Sequence, residues 1–208
     1  MNLASPIVHL VDDDESFARA TARLLKVSGY TVELYGSAPE FLSRRPPDGR
    51  GCVLVDLQMP GGPSGLELQT TLAAGHNPLP IIFLTGTGDI PSTVIALKGG
   101  AEDFLTKPAP LADLVRAVES ALARDERAAD LRRRQTALRE RFQRLTPREV
   151  EVLRHIIAGR LNKEIADRLE ATERTIKAHR ASIVEKLDAG SPAELGRIAE
   201  TLGLQPLA

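Results

Sequence analysis

Short, nearly apolar runs that stop abruptly at a charged or hydroxyl side chain recur four times in the first 110 residues, and they constrain this chain more than any other feature. Val8-His9-Leu10-Val11 ends in Asp12-Asp13-Asp14-Glu15, and Cys52-Val53-Leu54-Val55 ends in Asp56. Ile81-Ile82-Phe83-Leu84 ends in Thr85, and Phe104-Leu105 leads to Lys107-Pro108. Runs without a polar residue at every second position fit strands covered on both faces.

Strands are predicted over 7–11, 31–35, 52–56, 81–85 and 103–106. Helical segments are predicted between them, over 16–28, 37–43, 64–74 and 90–99, with another starting near 111. The alternation predicts an α/β, flavodoxin-like doubly wound parallel sheet. Such a sheet binds ligands beyond the carboxyl ends of its strands. Asp12, Asp13, Asp56, Thr85 and Lys107 all fall there.

Several carboxylates at the mouth of buried strands repel one another, and a hard cation relieves that repulsion. Mg²⁺ takes a few carboxylates together with water and phosphate oxygens. Asp56 is the candidate nucleophile, since a carboxylate attacking phosphorus gives an aspartyl phosphate. Asp13, with Asp12 acting through water, is the candidate Mg²⁺ holder; Lys107 offers a point charge and Thr85 a hydroxyl to phosphoryl oxygens. Each residue alone has a plainer reading, as a helix cap, a loop or core. Five of them in order and at strand ends favour one phosphoryl-handling site.

Of 208 residues, 42% are hydrophobic and 3% aromatic, which predicts aliphatic cores and leaves room for two small domains. Residues 1–110 carry 8 Lys/Arg against 12 Asp/Glu, residues 111–145 carry 9 against 6, and residues 146–208 carry 10 against 10. Nucleic-acid binding by the last segment must therefore rest on motif and local charge. The single Cys52 lies within an apolar strand, which argues for a reducing compartment. With no run of membrane-spanning length and no signal segment before the first strand, the expectation is a cytoplasmic protein without membrane contact.

No Gly or Pro occurs between Pro110 and Pro147. Ala128, Leu131, Gln135, Leu138, Phe142 and Leu145 recur in three- and four-residue steps, predicting one long helix that acts as rigid connector or dimer coil. A solvated charged linker is the plainer alternative. Thr146-Pro147-Arg148-Glu149 then reads as a capping box with Pro at the first helical position. Helices are predicted from there to Gly159, from Asn162 to Leu169, from Thr172 to Leu187, and after a cap at Ser191. Four short helices with a tight turn between the middle two match a helix-turn-helix.

Two motif sets now carry a resemblance. Val11-Asp12-Asp13-Asp14, Asp56-Leu57-Gln58-Met59-Pro60, Leu84-Thr85-Gly86-Thr87 and Asp103-Phe104-Leu105-Thr106-Lys107-Pro108 resemble the receiver domain of two-component response regulators. Leu145-Thr146-Pro147-Arg148-Glu149, Asn162-Lys163-Glu164-Ile165-Ala166 and Glu173-Arg174-Thr175-Ile176-Lys177-Ala178-His179 resemble the LuxR-type helix-turn-helix of the FixJ/NarL family. The expected organisation is a receiver over 5–124, a helical linker over 125–145 and a DNA-binding domain over 146–208.

The resemblance implies a phosphorylation-activated transcriptional regulator, not an enzyme acting on separate substrates. Asp56 would accept a phosphoryl group from a sensor histidine kinase, with Mg²⁺ held by Asp12, Asp13, Asp56 and the backbone carbonyl of Gln58. Thr85 and Phe104 would be the switch pair, although core packing alone also accounts for Phe104. The Lys107-Pro108 bond resembles the family's cis peptide. The implied partners are promoter DNA, RNA polymerase and, after phosphorylation, a second copy of the chain. On the recognition helix, Arg174, Thr175, Lys177, Ala178, Arg180 and Ala181 are the candidate DNA contacts, with 174, 178 and 181 on one face.

The chain departs from the family in a loop one residue longer over 61–65, Ala109 in place of an aromatic, Thr87 in place of His, and Glu170 where Gly is usual. The last predicts a positive φ at Glu170. The rival from another class is a phosphohydrolase with Asp56 as nucleophile. Such enzymes place a second Asp two residues on, where this chain has Gln58, and they carry a cap domain that this chain lacks.

Overall fold

The computed structural model describes residues 5–46, 49–60, 62–75, 77–86 and 90–207. The strands are β1 (Ile7–Val11), β2 (Thr31–Tyr35), β3 (Gly51–Asp56), β4 (Ile81–Thr85) and β5 (Asp103–Thr106). Between them lie α1 (Glu15–Val27), α2 (Ala38–Arg44), α3 (Gly65–Ala73) and α4 (Ile90–Lys98). Every pairing is parallel, in the order β2-β1-β3-β4-β5. The strands and helices predicted over residues 7–106 are all present, with ends shifted by one residue at most.

Burial explains the composition of the central strands. Residues 8–11, 51–55 and 81–85 are all buried, so neither face of those strands needs a polar side chain. One face packs Val8, Leu10, Leu54, Ile82 and Leu84 against Ala22 and Leu25 of α1 and against Leu114 and Val118 further along the chain. The other packs Val53, Val55, Ile81 and Phe83 against Phe41, Leu68 and Leu72. Strand order reverses at β1 and β3, which opens a crevice between their carboxyl ends.

Local chemistry sets the helix starts. Asp14 accepts a hydrogen bond from Phe17 N at 3.0 Å and caps α1, and Ser37 caps α2 ahead of Pro39. Ser64 and Glu67 cap α3 reciprocally, and an added Cβ at Gly65 would stand 2.5 Å from the Asp56 carbonyl oxygen. The loop with the extra residue thus delivers α3 at a position only Gly can occupy. Gly61 of that loop and Thr87 lie outside the described residues.

Helix α5 (Leu111–Gln143) is continuous, as its lack of Gly and Pro predicts. The chain divides into two compact units at 129/130, so the first unit extends one turn beyond residue 124. Asp125 explains the extension: it is buried and accepts from Gly51 N and Arg50 Nε, both at 3.2 Å. Of the expected seam, Leu131 is 60% exposed on the single chain, as a dimer coil would also leave it, and Leu145 falls beyond the end of the helix. Leu145 and Phe142 instead join the core of the C-terminal unit. Thr146 must be extended to cap the next helix ahead of Pro147, which stops α5 without any glycine.

Within the C-terminal unit, α6 (Pro147–Ile157), α7 (Asn162–Arg168), α8 (Glu173–Leu187) and α9 (Pro192–Thr201) enclose Leu153, Ile165, Ile176, Ile183 and Leu195. Gly159 ends α6 at φ 78°, and Glu170 takes the expected left-handed conformation at φ 49° before Thr172 caps α8. Among the described residues no helix is long and apolar enough to cross a membrane.

Candidate functional site

The crevice holds the predicted acids. Ligand oxygens of Asp12, Asp13 and Asp56 lie within 4.8 Å of one another, with Asp12 buried, Asp56 half-buried and Asp13 exposed. Parallel register produces this proximity: Val11 stands beside Val55, so the residues that follow each leave the sheet at the same level. Lys107 reaches in from the loop after β5. Its Nζ donates to Asp12 Oδ2 at 2.6 Å and to Asp56 Oδ2 at 2.8 Å. The Lys107-Pro108 bond is cis, as the resemblance implies.

Thr85 is buried at the end of β4, and its carbonyl accepts from Lys107 N at 2.7 Å. The Gln58 N–H donates to Asp56 Oδ1 at 3.1 Å. Phe104 is half-buried, its ring 6.3 Å from that of Phe83. The Asp14 N–H donates to Asp12 Oδ1, while its own carboxylate caps α1 away from the cluster.

Burial opposes charge on both members of the central pair. It raises the Asp12 carboxyl above the ordinary range, against the pull of Lys107 and the Asp14 N–H. Burial also pulls the Lys107 ammonium downward, but its contacts with Asp12 and Asp56 outweigh that and its net shift is upward. One ammonium therefore serves two carboxylates while a third stands beside them. This hard-oxygen set, short of positive charge, fits a divalent cation.

One neighbour of the site is not visible in the sequence pattern. Lys107 Nζ lies 4.4 Å from the centre of the Phe17 ring. Phe17 is separated from Lys107 by most of the domain, and only its place in the first turn of a helix following the acids hinted at the site.

In the C-terminal unit, α8 exposes Arg174, Thr175, Lys177, Ala178 and Ala181. Spacing of four and three residues puts 174, 178 and 181 on one face. Arg180 is half-buried and donates to Asn162 Oδ1 at 3.0 Å, and Thr175 bonds the cap residue Thr172. Beneath this helix Glu149 is buried. It accepts from Lys186 Nζ at 2.7 and 2.8 Å, from Ser182 Oγ at 2.7 Å and from Thr146 N at 2.7 Å. Burial pushes its carboxyl up, but these donors overcome that and bring it down to about 2. The capping box at Thr146 was legible; the partners 33 and 37 residues away were not.

The model of the response regulator receiver domain matches residues 8–119, and that of the bacterial regulatory proteins of the luxR family matches residues 143–199. The chain belongs to the response regulators. Nodulation protein W of Bradyrhizobium diazoefficiens is 42% identical over 95% of this chain and 87% of its own length. Transcriptional regulatory protein FixJ of the same organism is 38% identical over 95% and 96%. Among solved structures, the response regulator StyR superposes with a TM-score of 0.84 at 42% identity, covering 95% of this chain and 99% of its own. This response regulator thus pairs a receiver with a LuxR-type DNA-binding domain, and it is a transcriptional regulator of a two-component system. The phosphohydrolase alternative is not favoured.

Proposed function

We propose that Asp56 accepts a phosphoryl group from the phosphohistidine of a sensor histidine kinase. The observation that carries this reading is the single ammonium of Lys107 shared between Asp12 and Asp56 at adjacent strand ends. An Asp56 oxygen attacks phosphorus, the P–N bond to the kinase histidine breaks, and an acyl phosphate forms on the protein. Lys107 then meets the phosphoryl oxygens. Asp12, Asp13, Asp56 and the Gln58 carbonyl would hold Mg²⁺, which supplies charge neutralisation for the transferring group. The protein catalyses only this step on itself.

Thr85 and Phe104 form the switch: the hydroxyl turns toward the new phosphoryl group and the ring follows it inward. The change biases a two-state face formed by α4 and β5, and that face pairs two chains. The functional division is a receiver over 5–124, a connector over 125–145 and a DNA-binding domain over 146–208. In the dimer two α8 helices enter successive major grooves of promoter DNA, where Arg174, Thr175, Lys177, Ala178, Arg180 and Ala181 supply base and backbone contacts. RNA polymerase is the downstream partner, and the setting is the cytoplasm.

Intact-mass measurement after treatment with acetyl phosphate and Mg²⁺ tests the reading. The wild type should gain one phosphate, and Asp56→Asn should gain none. A full single-phosphate gain by Asp56→Asn would overturn the assignment.

A further inference from the structure

The Lys107 ammonium has three N–H donors, and among the described residues two oxygens accept from it, Asp12 Oδ2 and Asp56 Oδ2. Its remaining neighbour is an aromatic ring. Nζ stands 4.4 Å from the centre of the Phe17 ring, inside the range of about 6 Å over which a ring quadrupole attracts a cation. The lysine side chain is only 13% exposed, so water weakens this attraction little.

A closed circuit of contacts fixes the ring. Asp14 caps α1 by accepting from the Phe17 N–H at 3.0 Å, and the Asp14 N–H donates at 3.0 Å to Asp12 Oδ1. The other oxygen of that carboxylate accepts from Lys107, and Lys107 returns to the ring. Phe17 is half-buried and packs on the core face that Leu105, Ala109 and Leu122 also border, so the core backs the ring. A lysine ammonium is a compact charge on a flexible four-carbon stem. Phosphoryl transfer to Asp56 removes one of the two carboxylates that hold this charge, and the remaining bond to Asp12 then draws it toward β1. The attraction of the ring does not depend on the state of Asp56.

We propose that Phe17 is a positioning residue for phosphoryl transfer. Its ring holds the Lys107 ammonium in the crevice while the acceptor changes from the Asp56 carboxylate to the phosphoryl oxygens. Phe17 touches no reacting atom and acts only through Lys107. The proposal rests on the reading of Asp56 as phosphoryl acceptor and adds to it a residue from the first turn of α1. A ring that served only as packing would be indifferent to its own electron density, and a ring that positions a cation is not.

Graded fluorination of the Phe17 ring in the full-length chain provides the test, because mono-, di- and trifluorophenylalanine withdraw electron density with little change of shape. Proton exchange of the Lys107 ammonium with water, followed by nitrogen-edited NMR of the unphosphorylated chain, should quicken with each fluorine. The rate of mass gain with acetyl phosphate and Mg²⁺ should fall in the same order, to about one fifth with the trifluoro ring, the equivalent of one partly shielded cation–π contact. Phe17→Tyr should keep both rates near wild type, and Phe17→Leu should change them as much as the trifluoro ring does. If neither rate responds to fluorination, the positioning role is overturned even where Phe17→Leu is slow, and Phe17 is packing. Ammonium exchange that quickens while phosphorylation keeps its wild-type rate would overturn it too, since the lysine would then need no guide. A wild-type chain that gains no phosphate would overturn the assignment of Asp56 itself, and the role of Phe17 with it.

Discussion

Each unit buries a carboxylate against a lysine, and the surroundings of the two carboxylates differ. Glu149 in the C-terminal unit collects Lys186, Ser182 and the Thr146 N–H, with no other acid bonded to the same lysine among the described residues. Asp12 in the receiver shares Lys107 with Asp56 and has Asp13 beside it. The outcome reverses: the Glu149 carboxyl is driven down to about 2, and the Asp12 carboxyl is driven up. The number of donors per carboxylate decides whether a buried charge stabilises the fold or stays available for a ligand. The C-terminal pair is a structural bolt, and the receiver cluster is a site left short of positive charge.

The largest expected effect tests how far this contrast extends to the backbone. Gly51, at φ 147°, begins β3 so close to β1 that an added Cβ would stand 1.8 Å from the Ile7 carbonyl oxygen. Gly51→Ala should therefore cost the receiver more than about 4 kcal/mol, a size reserved for such named mechanisms. Loss of protection in segment-resolved hydrogen exchange, confined to residues before 130, would confirm it. A folded receiver of normal stability would show that strand packing here is looser than the distances require.

Acid should separate the two units next. Burial, with help from Arg45 and against Glu33, lowers the His9 imidazole from 6.5 to about 4. The fold keeps His9 neutral, so its contribution is complete above pH 6.5 and is lost as pH falls toward 4, about 3 kcal/mol in all. Glu149 ionises more readily folded than unfolded, so its share is complete above pH 4.5 and is lost as pH falls toward 2. His155 adds a loss of the same sign as His9 to the C-terminal unit. His9→Gln should flatten the receiver's stability profile between pH 6.5 and 4 and leave that of the C-terminal unit unchanged. A profile untouched by His9→Gln would remove this residue from the comparison.

The smallest effect belongs to a turn. Glu170 is a non-glycine residue held at φ 49°. Glu170→Gly should stabilise the C-terminal unit by about 1 kcal/mol, since the strain of a Cβ there is released. Chemical denaturation followed by helical circular dichroism would measure it, and a destabilised variant would show that the Glu170 side chain has another role.

Much of this was legible in the sequence because it rests on local rules. Continuous apolar runs marked β1, β3 and β4; Ser37, Ser64, Thr146, Thr172 and Ser191 marked helix starts; and acids at strand ends marked the crevice. The missing part depends on residues distant in sequence. Asp125 reads as one more charge on a charged helix, and only the fold brings it under Gly51 and Arg50. His9 gave no sign that its ring nitrogen bonds Tyr35 Oη at 3.0 Å. A three-and-four repeat also could not reveal that its last members, Phe142 and Leu145, belong to the C-terminal core.

The central claim is that the buried acid of the receiver is undercompensated and that of the C-terminal unit is not. It is tested most directly by comparing Asp12→Asn with Glu149→Gln in the full chain, free of divalent cations. Hydrogen exchange of β1 and β3 amides reads one unit, and that of α6 and α8 amides the other. Asp12→Asn should leave receiver protection nearly unchanged, because Asn still accepts from Lys107 and one repelling charge is gone, which offsets the loss of the acceptor for the Asp14 N–H. Glu149→Gln should lower protection in α6 and α8 by about 3 kcal/mol, roughly a hundredfold faster exchange. If Asp12→Asn costs the receiver as much as Glu149→Gln costs its own unit, both acids are structural bolts and the distinction drawn between them is wrong.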